Sequence, residues 1–139
     1  MKCIFCEIVN RNSPAEIIFE DEKIIAFLDN KPFNFGHSLV IPKIHCEDFL
    51  SVPEDHLMNL ISAVQAVSKA VLKGLNVSGF NIISNNGKTA GQSVFHFHFH
   101  IIPRFKSDKH KYRLNLKSYA PGEMKRFAES IKNFINNQE

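Results

Sequence analysis

Apolar residues recur at helical spacing in two places along this chain and at strand spacing in five others. Leu57, Leu60, Ile61, Val64, Val67 and Val71 fall on one helical face. Ser51-Val52-Pro53-Glu54 reads as a capping-box start for that helix, and Gly74 as its stop. A second helix follows Pro121-Gly122, with Met124, Phe127, Ala128, Ile131, Phe134 and Ile135 as its stripe. Both stripes read as core-facing, and either is compatible with a subunit contact.

Glu16 to Glu20 and Lys23 to Asp29 are apolar runs split by acidic turn residues, the pattern of a hairpin. Ser38 to Ile41 is a short strand ended by Pro42. Phe80 to Ser84 is another, closed by the turn Asn85-Asn86-Gly87. Val94 to Ile102 is the last and ends at Pro103. Five strands joined mostly by tight turns, with two main helices, predict an α+β fold built on an antiparallel sheet.

Composition narrows the class. At 139 residues the chain suits a single domain with its own core, and 44% hydrophobic with 22% charged is globular. No apolar run approaches the roughly 20 residues of a membrane helix, and no signal-like segment follows Lys2. Three cysteines are too few for a disulfide scaffold, which points to a reducing cytoplasm. The net charge of +3 gathers partly between Arg104 and Arg113, but no aromatic platform interleaves with it. That stretch reads as a solvated loop, and nucleic acid is not the expected partner.

The chemistry is concentrated in Gly91-Gln92-Ser93-Val94-Phe95-His96-Phe97-His98-Phe99-His100-Ile101-Ile102-Pro103. On a strand, side chains alternate faces. His96, His98 and His100 then share one side, and Phe95, Phe97, Phe99 and Ile101 can enter the core on the other. Such a row offers a nucleophile and proton donors in fixed relation, because imidazole titrates near neutrality. It is also a plausible metal row, and alternation alone leaves both open. Gly87-Lys88-Thr89 ends like a phosphate-binding P-loop, but Ile82 stands where that loop needs glycine, and a strand rather than a helix is expected next. Cys3-Ile4-Phe5-Cys6 has the spacing to grip one zinc and needs two more ligands. Its alternative is two reduced cysteines in a packed N-terminal segment.

The run His-apolar-His-apolar-His-apolar-apolar resembles the signature of the histidine triad family. Phe19-Glu20-Asp21, Ala26-Phe27-Leu28-Asp29, Gly36-His37-Ser38-Leu39-Val40-Ile41-Pro42-Lys43, Asn85-Asn86-Gly87 and Gly91-Gln92-Ser93 match other blocks of that family in order, from about Cys3 to Arg104. The resemblance implies one such domain over residues 1–139, with its core at about 3–104 and a variable tail at 105–139 that bears on the leaving group. It also implies a homodimer with a sheet continuous across both subunits.

The resemblance further implies a mechanism. His98 would attack the α-phosphate of a purine nucleotide conjugate and form a nucleotidyl-histidine that water hydrolyses. His100 and His37 would donate to the developing charge, and Ser93 would guide the leaving-group proton. Asn85, Gln92, Ser93 and Val94 would contact the nucleotide, Asp29 its ribose hydroxyls, and Ile4, Phe5, Ile8 and Phe27 its base. Each has a plainer alternative: Asp29 as a turn cap, Asn85 and Gln92 as loop residues, the apolar four as core. The zinc ligands would be Cys3, Cys6, His45 and His96, in a closed structural site. Cys46 is not expected to ligate, and His56 and His110 read as surface residues. The expected activity is hydrolysis of nucleoside 5′-phosphoramidates such as AMP-lysine. A dinucleoside polyphosphate substrate, or a zinc- or nucleotide-binding module without catalysis, are the other readings.

Overall fold

The computed structural model describes residues 2–111 and 114–136. Strands β1 (Ile17–Glu20), β2 (Ile24–Leu28), β3 (Ser38–Pro42), β4 (Gly79–Ile83) and β5 (Phe99–Arg104) form one sheet in the order β1-β2-β3-β5-β4. All of its pairings are antiparallel, as the tight turns predicted. The helices are α1 (Ile4–Val9), α2 (Glu54–Leu75) and α3 (Glu123–Asn136).

Period-two alternation sorts the sheet's residues between two helices. Ile24 and Ala26 of β2, Val40 of β3 and Ile101 of β5 face α2, whose Leu60, Val64, Val67 and Val71 complete that core. Ile25 and Phe27 of β2 and Leu39 and Ile41 of β3 face the other way, toward Phe5 and Ile8 of α1. Central strands buried on both faces read as solid apolar runs, which is why β2 and β3 lack alternation in the sequence.

Helix α1 was not foreseen. Six residues are too short to show a helical period, and its N-cap is Cys3, whose sulfur accepts from the Cys6 backbone N–H. So short a helix is not stable alone. Burial of Phe5 and Ile8 holds it to the sheet.

Helix α2 corrects the expected boundaries. Its N-cap is Pro53, with no side-chain cap, while the capping box joins Asp48 and Ser51 one turn earlier on a short 3-10 segment. Gly74 lies inside the helix, which stops at Asn76 in the left-handed conformation. Ile61, placed on the buried stripe, is half exposed at the stripe's edge.

The chain divides into two compact units, Met1–Asp108 and Lys109–Glu139. The second contains α3, whose Met124, Phe127, Ile131, Phe134 and Ile135 are all exposed rather than core. Arg113 lies outside the described residues. No helix among the described residues is long and apolar enough to cross a membrane.

Candidate active site and metal centre

The histidine run is not one long strand. Sheet pairing in β5 begins at Phe99, and the residues before it leave the ladder. The Phe97 N–H donates to the Cys46 carbonyl at 2.7 Å, outside the sheet. The expected sidedness survives that break for most of the run. Phe97, Phe99 and Ile101 pack on the α2 side, and His98 and His100 line a cleft on the α1 side. Phe95 departs from it and is 41% exposed instead of buried. Gly87-Lys88-Thr89 leads into a 3-10 turn at Lys88–Ala90, with neither the helix of a P-loop nor the expected strand directly after it.

The cleft measures about 880 Å³, within the range of small-molecule sites. Ile4, Phe5, Ile8 and Phe27 form its apolar wall, with Val94 and Ser93 beside them and Asp29, His98 and His100 as polar groups. Nine sequence-predicted residues thus converge here. Three do not: Asn85, Gln92 and His37 are absent from the lining, and His37 meets it through His100. Gln92 is buried and committed to the backbone, accepting from Gly87 N–H and donating to the Glu47 and Val94 carbonyls. Asp29 caps a turn through the Lys31 N–H and also faces the cleft, so its two readings are compatible.

Leu39, Glu16, Asn30 and Lys31 also line the cleft and were not foreseen. Leu39 was findable. It lies two residues after His37, which precedes β3, and sits opposite both Phe27 and His100.

Fixed backbone partners determine which ring nitrogens carry protons. His98 Nδ1 lies 2.7 Å from the His96 carbonyl, which can only accept. Nδ1 therefore holds the proton, and Nε2 keeps a lone pair. His37 Nδ1 accepts from the Phe33 backbone N–H at 3.0 Å, so its proton sits on Nε2. That Nε2 is 2.9 Å from His100 Nδ1, which must accept and leave a proton on His100 Nε2. Burial, above all, lowers the pKa of His37, His98 and His100, the last to about 4 with help from neighbouring His98 and His37. All three are neutral at pH 7. The site offers one unprotonated nucleophilic nitrogen beside one N–H donor.

His96 serves a second centre. Its Nε2 donates to the Pro42 carbonyl at 2.7 Å, which frees Nδ1 as a ligand atom. Nδ1 lies 3.4 Å from Cys3 Sγ and 3.5 Å from Cys6 Sγ, and His45 Nδ1 lies 3.4 Å from Cys6 Sγ. Tetrahedral zinc at ordinary bond lengths requires about 3.6 Å between sulfur and nitrogen ligands. The four donors fit that ion, and the Pro42 carbonyl supplies the outer hydrogen bond that orients a ligating imidazole. Without a cation, burial and the neighbouring Cys3 push the Cys6 thiol up to about 11. Cys46 is buried in the α2 core, apart from these donors. His110 is exposed as expected, whereas His56 is partly buried against Asp55.

Asp29, His37 and His100 also bring ligand atoms together. They do not suit a metal, because His37 Nε2 carries a proton as long as Phe33 donates to Nδ1.

The HIT domain family matches residues 10–107 of the chain. The protein belongs to the HIT family. An uncharacterized HIT-like protein of Methanocaldococcus jannaschii is 52% identical over 106 residues, covering 76% of this chain and 81% of that protein. Adenylylsulfatase HINT3 of Arabidopsis thaliana is 40% identical over 106 residues, covering 76% of this chain and 54% of the plant protein. Among solved structures, SMU.412c of Streptococcus mutans superposes with a TM-score of 0.91 at 38% identity, covering 96% of this chain and 85% of that one. A zinc-bound histidine triad family protein of Mycobacterium smegmatis superposes with a TM-score of 0.76 at 36% identity, covering 100% and 99%. The five-stranded antiparallel sheet with flanking helices is the HIT fold of these neighbours.

Proposed function

We propose that this HIT protein binds purine nucleotide conjugates and hydrolyses them at the α-phosphate, with nucleoside 5′-phosphoramidates such as AMP-lysine as the substrate class. The observation that carries the reading is the His98 ring, whose Nδ1–H is fixed on the His96 carbonyl while the residue lines the cleft with His100 and Asp29.

In the proposed reaction, the His98 Nε2 lone pair attacks the α-phosphorus and the bond to the leaving amine breaks. His100 Nε2–H donates to the phosphoryl oxygens as charge develops there. Ser93 passes its hydroxyl proton to the departing amine. Water then attacks the phosphorus and returns a proton to Ser93, the P–Nε2 bond breaks, and AMP leaves with neutral His98 restored. Asp29 accepts from the ribose, and Ile4, Phe5, Ile8 and Phe27 sandwich the base. Val94 sits beside them. Asn85, outside the cleft's lining, would contact only the part of the bound nucleotide conjugate that extends beyond it, and Gln92 acts by holding the Gly87 turn. The tautomer of His98 and the neutral His row support catalysis over a pure binding module. The plant relative's name adds adenylyl sulfate to the candidates, and a dinucleoside polyphosphate would use the same nucleophile.

Zinc at Cys3, Cys6, His45 and His96 would be structural, since four protein donors leave no open position. Residues 3–104 would act as the single catalytic domain, with the tail biasing the leaving group. The proposed homodimer joins β4, an edge strand, to its copy, and covers exposed Ile82, Met58 and Ile61. The odd cysteine count fits a cytoplasmic setting.

The test is AMP release from adenosine 5′-phosphoramidate and AMP-lysine by wild type and His98→Ala. Turnover by wild type alone supports the reading. Equal turnover by both overturns it.

A further inference from the structure

We propose that Asn34 and Asp108 act as positioning residues, forming a pin that sets the direction of proton donation from His37 to His100. Its catalytic consequence rests on the function proposed above, but its structural content does not.

The polarity of the His37–His100 pair originates in one backbone group, the Phe33 N–H that donates to His37 Nδ1. Phe33 lies on the irregular segment between β2 and β3, so no strand ladder holds that N–H in place. Asn34 does. Its side-chain amide donates to the Pro103 carbonyl at 2.9 Å and to Asp108 Oδ2 at 3.1 Å, and its own carbonyl accepts the His37 N–H at 3.0 Å. The segment is thereby tied to the far end of β5, the strand that carries His100.

Asp108 is an unusually well-held anchor. The Arg104 guanidinium grips both of its oxygens, at 3.0 and 2.8 Å, and the Phe105 N–H adds a third bond at 2.8 Å. Arg104 in turn reaches Asn81 on β4. The hydrogen bonds from Arg104 hold the Asp108 carboxyl well below the usual carboxylate range. A charged, bidentate pair is a rigid support, and neither Asn34 nor Asp108 lines the cleft.

Without the pin, the Phe33 N–H drifts from His37. Either nitrogen of that ring can then carry the proton. His100 Nδ1 loses its obligate donor, and the N–H that His100 turns to the phosphate is present only part of the time.

Long-range 1H–15N NMR of the histidine rings tests this directly. Wild type should show His37 and His100 protonated on Nε2 and His98 on Nδ1. In Asn34→Ala and in Asp108→Ala, His37 and His100 should shift to averaged tautomers while His98 stays unchanged, since the His96 carbonyl is untouched. kcat should fall about 10-fold with KM little altered. The double variant should be no worse than the worse single one, because the two residues act as one unit. A single Nε2–H tautomer at His37 in Asn34→Ala overturns the proposal, and that variant alone decides if Asp108→Ala does not fold. Averaged tautomers in a protein whose wild type shows no turnover support the pin and overturn the reaction instead.

Discussion

The His96 carbonyl accepts the Nδ1–H of His98 at 2.7 Å, while the His96 ring turns its own Nδ1 to Cys3 and Cys6. One residue thus belongs to both the Cys/His cluster proposed to hold zinc and the seat of the proposed nucleophile. Helix α1 repeats the link, since Cys3 caps it, Cys6 lies on it, and Ile4, Phe5 and Ile8 wall the cleft.

Zinc removal is therefore expected to weaken nucleotide binding, about 10-fold or more by the usual strength of such coupling. Linkage is reciprocal, so AMP should raise the affinity for zinc by the same factor, read by equilibrium competition with a colorimetric chelator. A zinc affinity indifferent to AMP contradicts the coupling.

Phe5 meets Phe27, His96 and His98 edge-on, at centroid distances of 5.4, 5.9 and 5.1 Å. Phe5→Ala should cost about 3–4 kcal/mol of stability, as for a buried aromatic. It should also raise KM more than it lowers kcat, because the ring borders the site without reacting. Denaturant titration and steady-state kinetics check both.

Burial lowers the pKa of His37 and of His100, so the folded protein holds these rings neutral where the unfolded chain protonates them. Below the unfolded value of about 6.5, the unfolded state binds more protons. Stability should therefore decline as pH falls from 6.5 toward 4, and the part of that decline down to about pH 5 lies above the range in which carboxylates are neutralised. Denaturant midpoints at pH 7 and pH 5 measure it. An unchanged midpoint refutes the burial argument.

Gly36 has φ of +94°, and a Cβ there would meet Leu75 Cδ1 at 2.2 Å. Gly36→Ala should push the segment before His37 away from α2. Loss of stability together with a fall in kcat, seen by thermal melts and kinetics, is the expected outcome.

Much of this was legible in the sequence because local pattern carried it. The five strands, helix α2 and the convergence of His98, His100, Asp29 and Phe27 follow from periodicity and from the ordered motif match. What was missed depends on tertiary structure. The exit of His96 and His98 from β5 follows from bonds to Cys46 and Pro42, residues about 50 positions away. The pin needs Asn34 and Asp108, separated by 74 positions, and no period relates them. Helix α3 has a clear stripe, but a stripe says only that a face is apolar, not what covers it.

The central claim is that His98 Nε2 bonds to phosphorus. The most direct measurement is intact-mass and peptide mapping of the enzyme quenched, under non-acidic conditions, within its first turnover of adenosine 5′-phosphoramidate. The account predicts one adenylyl group on His98, present in wild type and missing from His98→Ala. Turnover by wild type with no adduct in the quenched protein, matched by undiminished turnover in His98→Ala, would contradict it.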